Sequence, residues 1–308
     1  MANGNPREHW GSKIGFILAA TGSAVGLGNI WRFPYITGEN GGAAFVFIYL
    51  VCILLLGLPI LIAEIVIGRH TEKDPVGAFK AMLGGTEWEF VGYLGVASGF
   101  LILAFYSVVG GWTLGYIVKS LTGTAASIKN VESAKTVFND FISSPWETLL
   151  YHFLFIAACM FIVTKGIKDG IEKWNKILMP LLFGILLILI IRGITMDGGM
   201  RGLSFYLNPD FSKITTKTII LALGQSFFSL SLGMGAMITY GSYLSPKEKI
   251  LNSSVFILLF DTLIALFAGF AIFPAVFAMN MSPAEGPGLV FHIIPTVFGN
   301  MAYGNVFL

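Results

Sequence analysis

The chain has 308 residues, 55% of them hydrophobic and only 12% charged, with a positive mean hydropathy. That balance excludes an ordinary soluble domain and points to a multi-spanning membrane protein. The net charge of +2 is small, and the basic residues are scattered between apolar runs, which argues against nucleic acid as a partner.

The polar N-terminal stretch MANGNPREHWGSK precedes an apolar run too long for a signal-peptide core, so it reads as a mature cytoplasmic start. Apolar segments follow at 13–37, 41–68, 89–120, 146–163, 172–193, 218–243 and 251–279, which predicts an all-α membrane protein with about seven spans in a single transmembrane domain over 1–308. When the connections alternate sides, one side collects Arg7 and Lys13, then Arg69, Lys73 and Lys80, then Lys165, Lys168, Lys173 and Lys176, then Lys247 and Lys249. This outweighs the other side and puts the N-terminus on the cytoplasmic side of the cell membrane. Residues 123–145 and 195–216 form the long outer connections, the second carrying turn signals at Asp197-Gly198-Gly199 and Asn208-Pro209-Asp210. With Pro283, Pro287 and Pro295, the stretch 280–300 reads as a re-entrant or capping loop. The last residues look like the opening of an eighth span, so a truncated protein is expected. Cys52 and Cys159 lie in apolar runs and read as small buried hydrophobes. His9, His70, His152 and His292 lack metal-ligand spacing and are expected at the interface or in loops.

The first apolar segment is broken in its middle by GSAVGLGNIWRFPY at 22–35, and the sixth by QSFFSLSLGMGAMITY at 225–240. Inside hydrocarbon, irregular backbone is tolerated only where it lines a cavity or is buried in protein, and there it offers carbonyls to cations and amides to anions. A plainer reading is close helix packing through small residues, since Gly22 and Gly26 form a GxxxG pair. The occurrence of two breaks, with Asn29, Ser229 and Ser231 in them, favours a binding site. Asp261 stands among apolar residues in VFILLFDTLIALFAGF. A charge near the membrane centre costs roughly 2.5–3.5 kcal/mol, and a monovalent cation about 4 Å away returns about 4 kcal/mol at an effective dielectric of about 20. Asp261 is therefore read as part of an ion path, with a protonated structural hydrogen bond as the alternative. Glu64, in LPILIAEIVIGR, is read as a brace for free amides of a broken helix.

The segments REHWGSKIGFILAATGSAVGLGNIWRFPY at 7–35, ENGGAAF at 39–45, GGWTLGY at 110–116 and QSFFSLSLGMGA at 225–236 resemble the neurotransmitter:sodium symporter family, bacterial amino-acid symporters above all. Paired broken spans were recognised as a transporter signature in this family itself, so that correspondence carries no separate weight. The resemblance implies two inverted five-helix repeats with helices one and six broken. The first repeat would cover 1–193, and 218–308 would be an incomplete second. It also implies sodium-coupled symport of an amino acid by alternating access.

Carried over by position, the resemblance implies a first sodium site from the carbonyl of Ala24, the side chain of Asn29, Ser229 and Asp261, with oxygen donors suited to a hard cation. A second sodium site would use the carbonyls of Gly22 and Val25, its other ligands lying beyond Leu308. The amides of Leu27 and Gly28 with the Tyr106 hydroxyl would hold a substrate carboxylate. The amine would meet the carbonyls of Ala24, Phe228 and Ser229 and the hydroxyl of Ser231. Gly26 stands where monoamine members carry an acid, which implies a substrate with its own carboxylate. Ser23, Ile102, Phe228 and Met234 would line the side-chain pocket, with Gly233 and Gly235 leaving room, which favours hydrophobic or aromatic L-amino acids. Arg32 would gate the outer side, and Arg7 with Trp10 the inner side. Tyr49, Gln225 and Ser229 match the surround of the family's chloride site, but Asp261 replaces the usual Asn, which implies chloride-independent transport.

A competing reading is a truncated membrane protein that binds ligand weakly or needs a companion chain. Self-association stays open. An enzyme finds no support, since the sequence offers no nucleophile paired with a base, no metal-binding His motif and no phosphate loop.

Overall fold

A chain in hydrocarbon can close its backbone hydrogen bonds within single segments only as helices. The computed structural model describes residues 10–84, 86–123 and 128–300, and every regular element among them is helical. In chain order they begin with α1 (Lys13–Ala24) and α2 (Gly28–Glu39), two halves of one broken span bent by 47°. Next come the spanning helix α3 (Ala43–Thr71) and the short α4 (Pro75–Leu83), whose first turn is capped by Asp74 accepting from the Gly77 N–H. The long span α5 (Glu89–Leu121), the helix α6 (Val131–Ser143) and the spans α7 (Pro145–Thr164) and α8 (Ile167–Thr195) follow. After them run α9 (Gly199–Leu207), the broken pair α10 (Thr216–Ser229) and α11 (Ala236–Gly241), the span α12 (Ile250–Ala278) and α13 (Leu289–Gly299). Among the described residues five helices are long and apolar enough to cross a membrane, and α1 with α2 makes a sixth.

Helix α12 is the axis of the molecule. It packs on α1, α3, α8 and α9, and one buried cluster joins it to α1, α3 and α10 through Phe16, Phe45, Tyr49, Leu61, Leu230 and Ile257. A second cluster joins its C-terminal half to α5, α6, α8 and α13. By contrast α7 buries no residue and presents its apolar surface to lipid. The GGWTLGY motif has a packing role: a Cβ at Gly111 would come 2.8 Å from the backbone N of His152, so the glycines let α5 lie directly on α7.

The two outer connections are more ordered than their turn signals suggest. Helix α6 is started by Asn130 and Ser133 capping each other, with the Ser133 N–H donating to Asn130 Oδ1 at 2.8 Å. In the other connection, α9 sinks Tyr206 against α12, its hydroxyl donating to the Leu266 carbonyl at 3.2 Å.

The stretch 280–300 departs from the loop reading. Pro283 and Pro287 do precede the helix, but 289–299 coils into α13 despite Pro295, because nearly all its apolar side chains are buried against α6 and α12. Burial here outweighs the cost of one missing hydrogen bond. His292 is accordingly not an exposed loop residue. It is buried, edge-on to Phe138 at 5.4 Å, and its Nδ1 lies 3.3 Å from Glu285, which also pairs with Lys135 at 2.8 Å. These contacts fasten α13 to α6.

Burial pushes the His292 imidazole below its ordinary value, and nearby Lys135 adds to this, although Glu285 pulls the other way. The unfolded chain then binds the proton more readily, so stability is present above about pH 6.5 and declines as the pH falls below it. Thermal unfolding of the purified chain between about pH 8 and pH 5 should show this fall, and His292→Asn should flatten it. An unchanged slope in the variant would rule this out.

Candidate functional site

The two broken spans face each other at the middle of the molecule. At the first break Val25 is extended, and the amides of Asn29 and Ile30 both turn to the Gly26 carbonyl, at 3.1 and 3.2 Å. At the second, Ser231, Gly233 and Gly235 all have positive φ, so 230–235 leaves the helical path and glycine is needed at two of its corners. Its freed amides find partners: Leu232 donates to the Phe227 carbonyl at 2.9 Å, and Gly233 donates to Glu64 Oε1 of α3 at 2.7 Å. Glu64 is therefore the brace read from the sequence.

Asp261 of α12 is fully buried between the breaks. Its Oδ2 accepts from the Ser229 hydroxyl at 2.7 Å, and its Oδ1 accepts from Asn29 Nδ2 at 2.8 Å. The same Nδ2 lies 3.0 Å from the Asp261 carbonyl and 3.2 Å from Ser229 Oγ, so three oxygens converge on one positively polarised group. A half-turn of the Asn29 amide would add its own oxygen to the set. Of the expected first sodium ligands, Asn29, Ser229 and Asp261 are thus in mutual contact, and Ala24 is buried nearby on the last turn of α1.

Beside this cluster lies a cavity of about 310 Å³, large enough for a small ligand. It collects Ser23, Ala24, Gly28, Ile102, Tyr106, Phe228, Ser231 and Met234 from the expected substrate set, and Gly22 from the expected second sodium site. Leu27 and Gly26 meet the cavity through Tyr106: the Leu27 amide donates to its hydroxyl at 2.9 Å, and a Cβ on Gly26 would collide with that hydroxyl. The Ser231 hydroxyl donates to the Ser23 carbonyl at 3.1 Å, tying the two breaks together. Gly233 faces a separate small cavity beside Glu64, and Val25 is buried in the second apolar cluster.

Arg32 donates to Gln225 Oε1 and lies over the ring of Phe228, a cavity residue, 4.8 Å from its centroid. Gln225 Nε2 donates to the Gly28 carbonyl at 3.0 Å. At the other end Trp10 stacks on Tyr240 at 5.5 Å and donates to its carbonyl at 3.1 Å. Arg7 lies outside the described residues. The cavity also contains Gly99, Leu103 and Ala236, which sequence reasoning missed. Gly99, Ile102, Leu103 and Tyr106 repeat at helical spacing along α5, a stripe from which Gly99 and Leu103 could have been found.

The Sodium:neurotransmitter symporter family matches residues 7–141 and 128–308. The chain belongs to this family. The sodium-dependent transporter YhdH of Bacillus subtilis is 42% identical over 97% of this chain and 66% of its own length. A sodium-dependent transporter of Haemophilus influenzae is 40% identical over 99% of the chain and 69% of its own length. A crystal structure of MhsT in complex with L-phenylalanine superposes with a TM-score of 0.93 at 48% identity, covering 98% of this chain and 68% of that one. The chain thus spans about two thirds of the length of these relatives.

The irregular turn at 230–235 is held by Glu64, which accepts the Gly233 amide. Glu64→Ala would leave the Gly233 amide without its acceptor, a loss of about 1–3 kcal/mol, whereas Glu64→Gln keeps an oxygen there and should cost less than half as much. Melting in detergent would show it. Equal losses for both variants would contradict the brace.

Proposed function

We propose that the chain carries out sodium-coupled symport of a hydrophobic or aromatic L-amino acid by alternating access, without need of chloride. The observation behind this is the contact of Asn29, Ser229 and Asp261 between two broken spans, beside a cavity that shares those spans. Sodium is the cargo that best suits this oxygen set, with the Ala24 carbonyl completing it. A second sodium would meet the carbonyls of Gly22 and Val25.

The substrate carboxylate would take the Leu27 and Gly28 amides, with Tyr106 turning its hydroxyl toward the ligand. The amine would lie toward the carbonyls of Ala24, Phe228 and Ser229 and the hydroxyl of Ser231. An acid at position 26 has no room against Tyr106, which supports a substrate bringing its own carboxylate. The side chain would rest among Ile102, Leu103, Phe228 and Met234, all apolar, and the L-phenylalanine bound by MhsT supports the same class. Lys and Arg placement supports a cytoplasmic N-terminus. Arg32 would then close the outer side, and Trp10 with Arg7 the inner.

Uptake of labelled L-phenylalanine into vesicles carrying the chain, driven by an inward sodium gradient and compared with potassium, tests this. Saturable uptake in sodium alone is expected. Sodium-dependent binding without uptake would favour the reading of a binding chain that needs a companion, and neither would overturn both.

The Asp261 carboxylate would supply the negative charge that chloride supplies elsewhere. Gln225 supports this, since its amide group is committed to Gly28 and Arg32. Asp261→Asn should make sodium-driven activity rise with chloride, and an uptake assay with no chloride effect in the variant would count against it.

A further inference from the structure

The first turn of α1 has no acidic residue and starts with Lys13, the wrong charge for the positive end of a helix. The missing charge comes from another element. Glu172, the last residue of a π turn (Ile167–Glu172) opening α8, is 1% exposed. Its Oε2 accepts the Gly11 N–H at 2.9 Å, and its Oε1 pairs with Lys176 at 2.6 Å. The carboxylate lies so close to Gly15 that a Cβ there would overlap it. About one turn further along α8, Asn175 sits against Gly22 in the same way, its amide anchored on the Ile171 carbonyl at 2.9 Å. Gly15 and Gly22 lie on one face of α1 and Gly11 just before its first turn, so the glycines form a slot that takes two polar side chains of α8.

We infer that Glu172 is a positioning residue for transport, a clasp that holds α1 against α8 and so fixes the carbonyl-bearing end of the broken span. This rests on the transport reading above. The bond from Gly11 is charge-assisted, and it joins the segment leading into α1 to the start of α8 across 161 positions of sequence. Letting go of it would free α1 to swing about the break at Val25 and open the inner side of the cavity. The π turn is suited to that release, because π turns hold one residue more than the helix around them and occur at functional sites. Here Gly170 sets that turn against the Ile162 carbonyl at the end of α7.

Hydrogen exchange followed by mass spectrometry on the purified chain, in sodium and in potassium, separates the possibilities. Glu172→Ala should speed exchange over 11–24 by about tenfold, the loss of one charge-assisted hydrogen bond, with little change in α3 or α12. Glu172→Gln, which keeps an acceptor for Gly11, should fall between. Gly15→Ala leaves Glu172 in place but pushes its carboxylate out, and it should also speed exchange over 11–24. Alanine is the better helix former, so without a clasp this variant should slow exchange instead.

Sodium should slow exchange over 11–24 in the unsubstituted chain and do so less in Glu172→Ala. No sodium effect in the unsubstituted chain would overturn the transport reading and the clasp with it. A sodium effect with unchanged exchange in both Glu172→Ala and Gly15→Ala would overturn the clasp alone. Exchange raised equally in every helix by Glu172→Ala and Glu172→Gln would assign Glu172 to the fold as a whole and also overturn the clasp.

Discussion

The structure depends on one constraint: backbone polar groups placed in hydrocarbon must be satisfied by the protein itself. A continuous helix meets that demand alone, whereas the breaks at 25–27 and 230–235 cannot. Each break therefore recruits polar side chains from elsewhere. Tyr106 of α5 takes the Leu27 amide, Glu64 of α3 takes the Gly233 amide, and Ser231 returns a proton to the Ser23 carbonyl across the gap. Two of these groups, Tyr106 and Ser231, also line the cavity, so part of the solution to a folding problem lies at the candidate binding site.

The same economy governs charge. Asp261, Glu64 and Glu172 are all buried, and each is met by a donor from a distant part of the chain: Asn29 and Ser229 for Asp261, the Gly233 amide for Glu64, and the Gly11 amide for Glu172, which also pairs with Lys176 of its own helix. Only Glu172 among them has a cationic partner, on the exposed end of α8. Asp261 has neutral donors alone, and on the proposed reading a cation would complete the set.

The sequence made the site more legible than the connections. Glycine and serine in the middle of apolar runs announced both breaks, and an acid among leucines and phenylalanines announced Asp261. Their meeting in space rested on the family resemblance, because residues 29, 229 and 261 share no local pattern. Positions 289–299 were obscured by three nearby prolines, although only Pro295 falls inside the helix, and what makes that helix is a burial partner from α6 that no window of sequence contains. His292 was misplaced for the same reason. Glu172 was invisible because an acid near lysines at a span boundary looks like ordinary interfacial charge, and only the fold shows Gly11 and Gly15 in contact with it. Likewise Gly22 read as half of a GxxxG pair, and the structure shows it accommodating Asn175.

The central claim is that Asp261, Asn29 and Ser229 form a cation site between the broken spans. Equilibrium binding of radioactive sodium to the purified chain tests it most directly, with Asp261→Ala and Asn29→Ala alongside. Saturable binding that potassium does not compete away, and that both variants lose, is the result this account predicts. Binding of equal strength in the variants, or none in the unsubstituted chain, would contradict it.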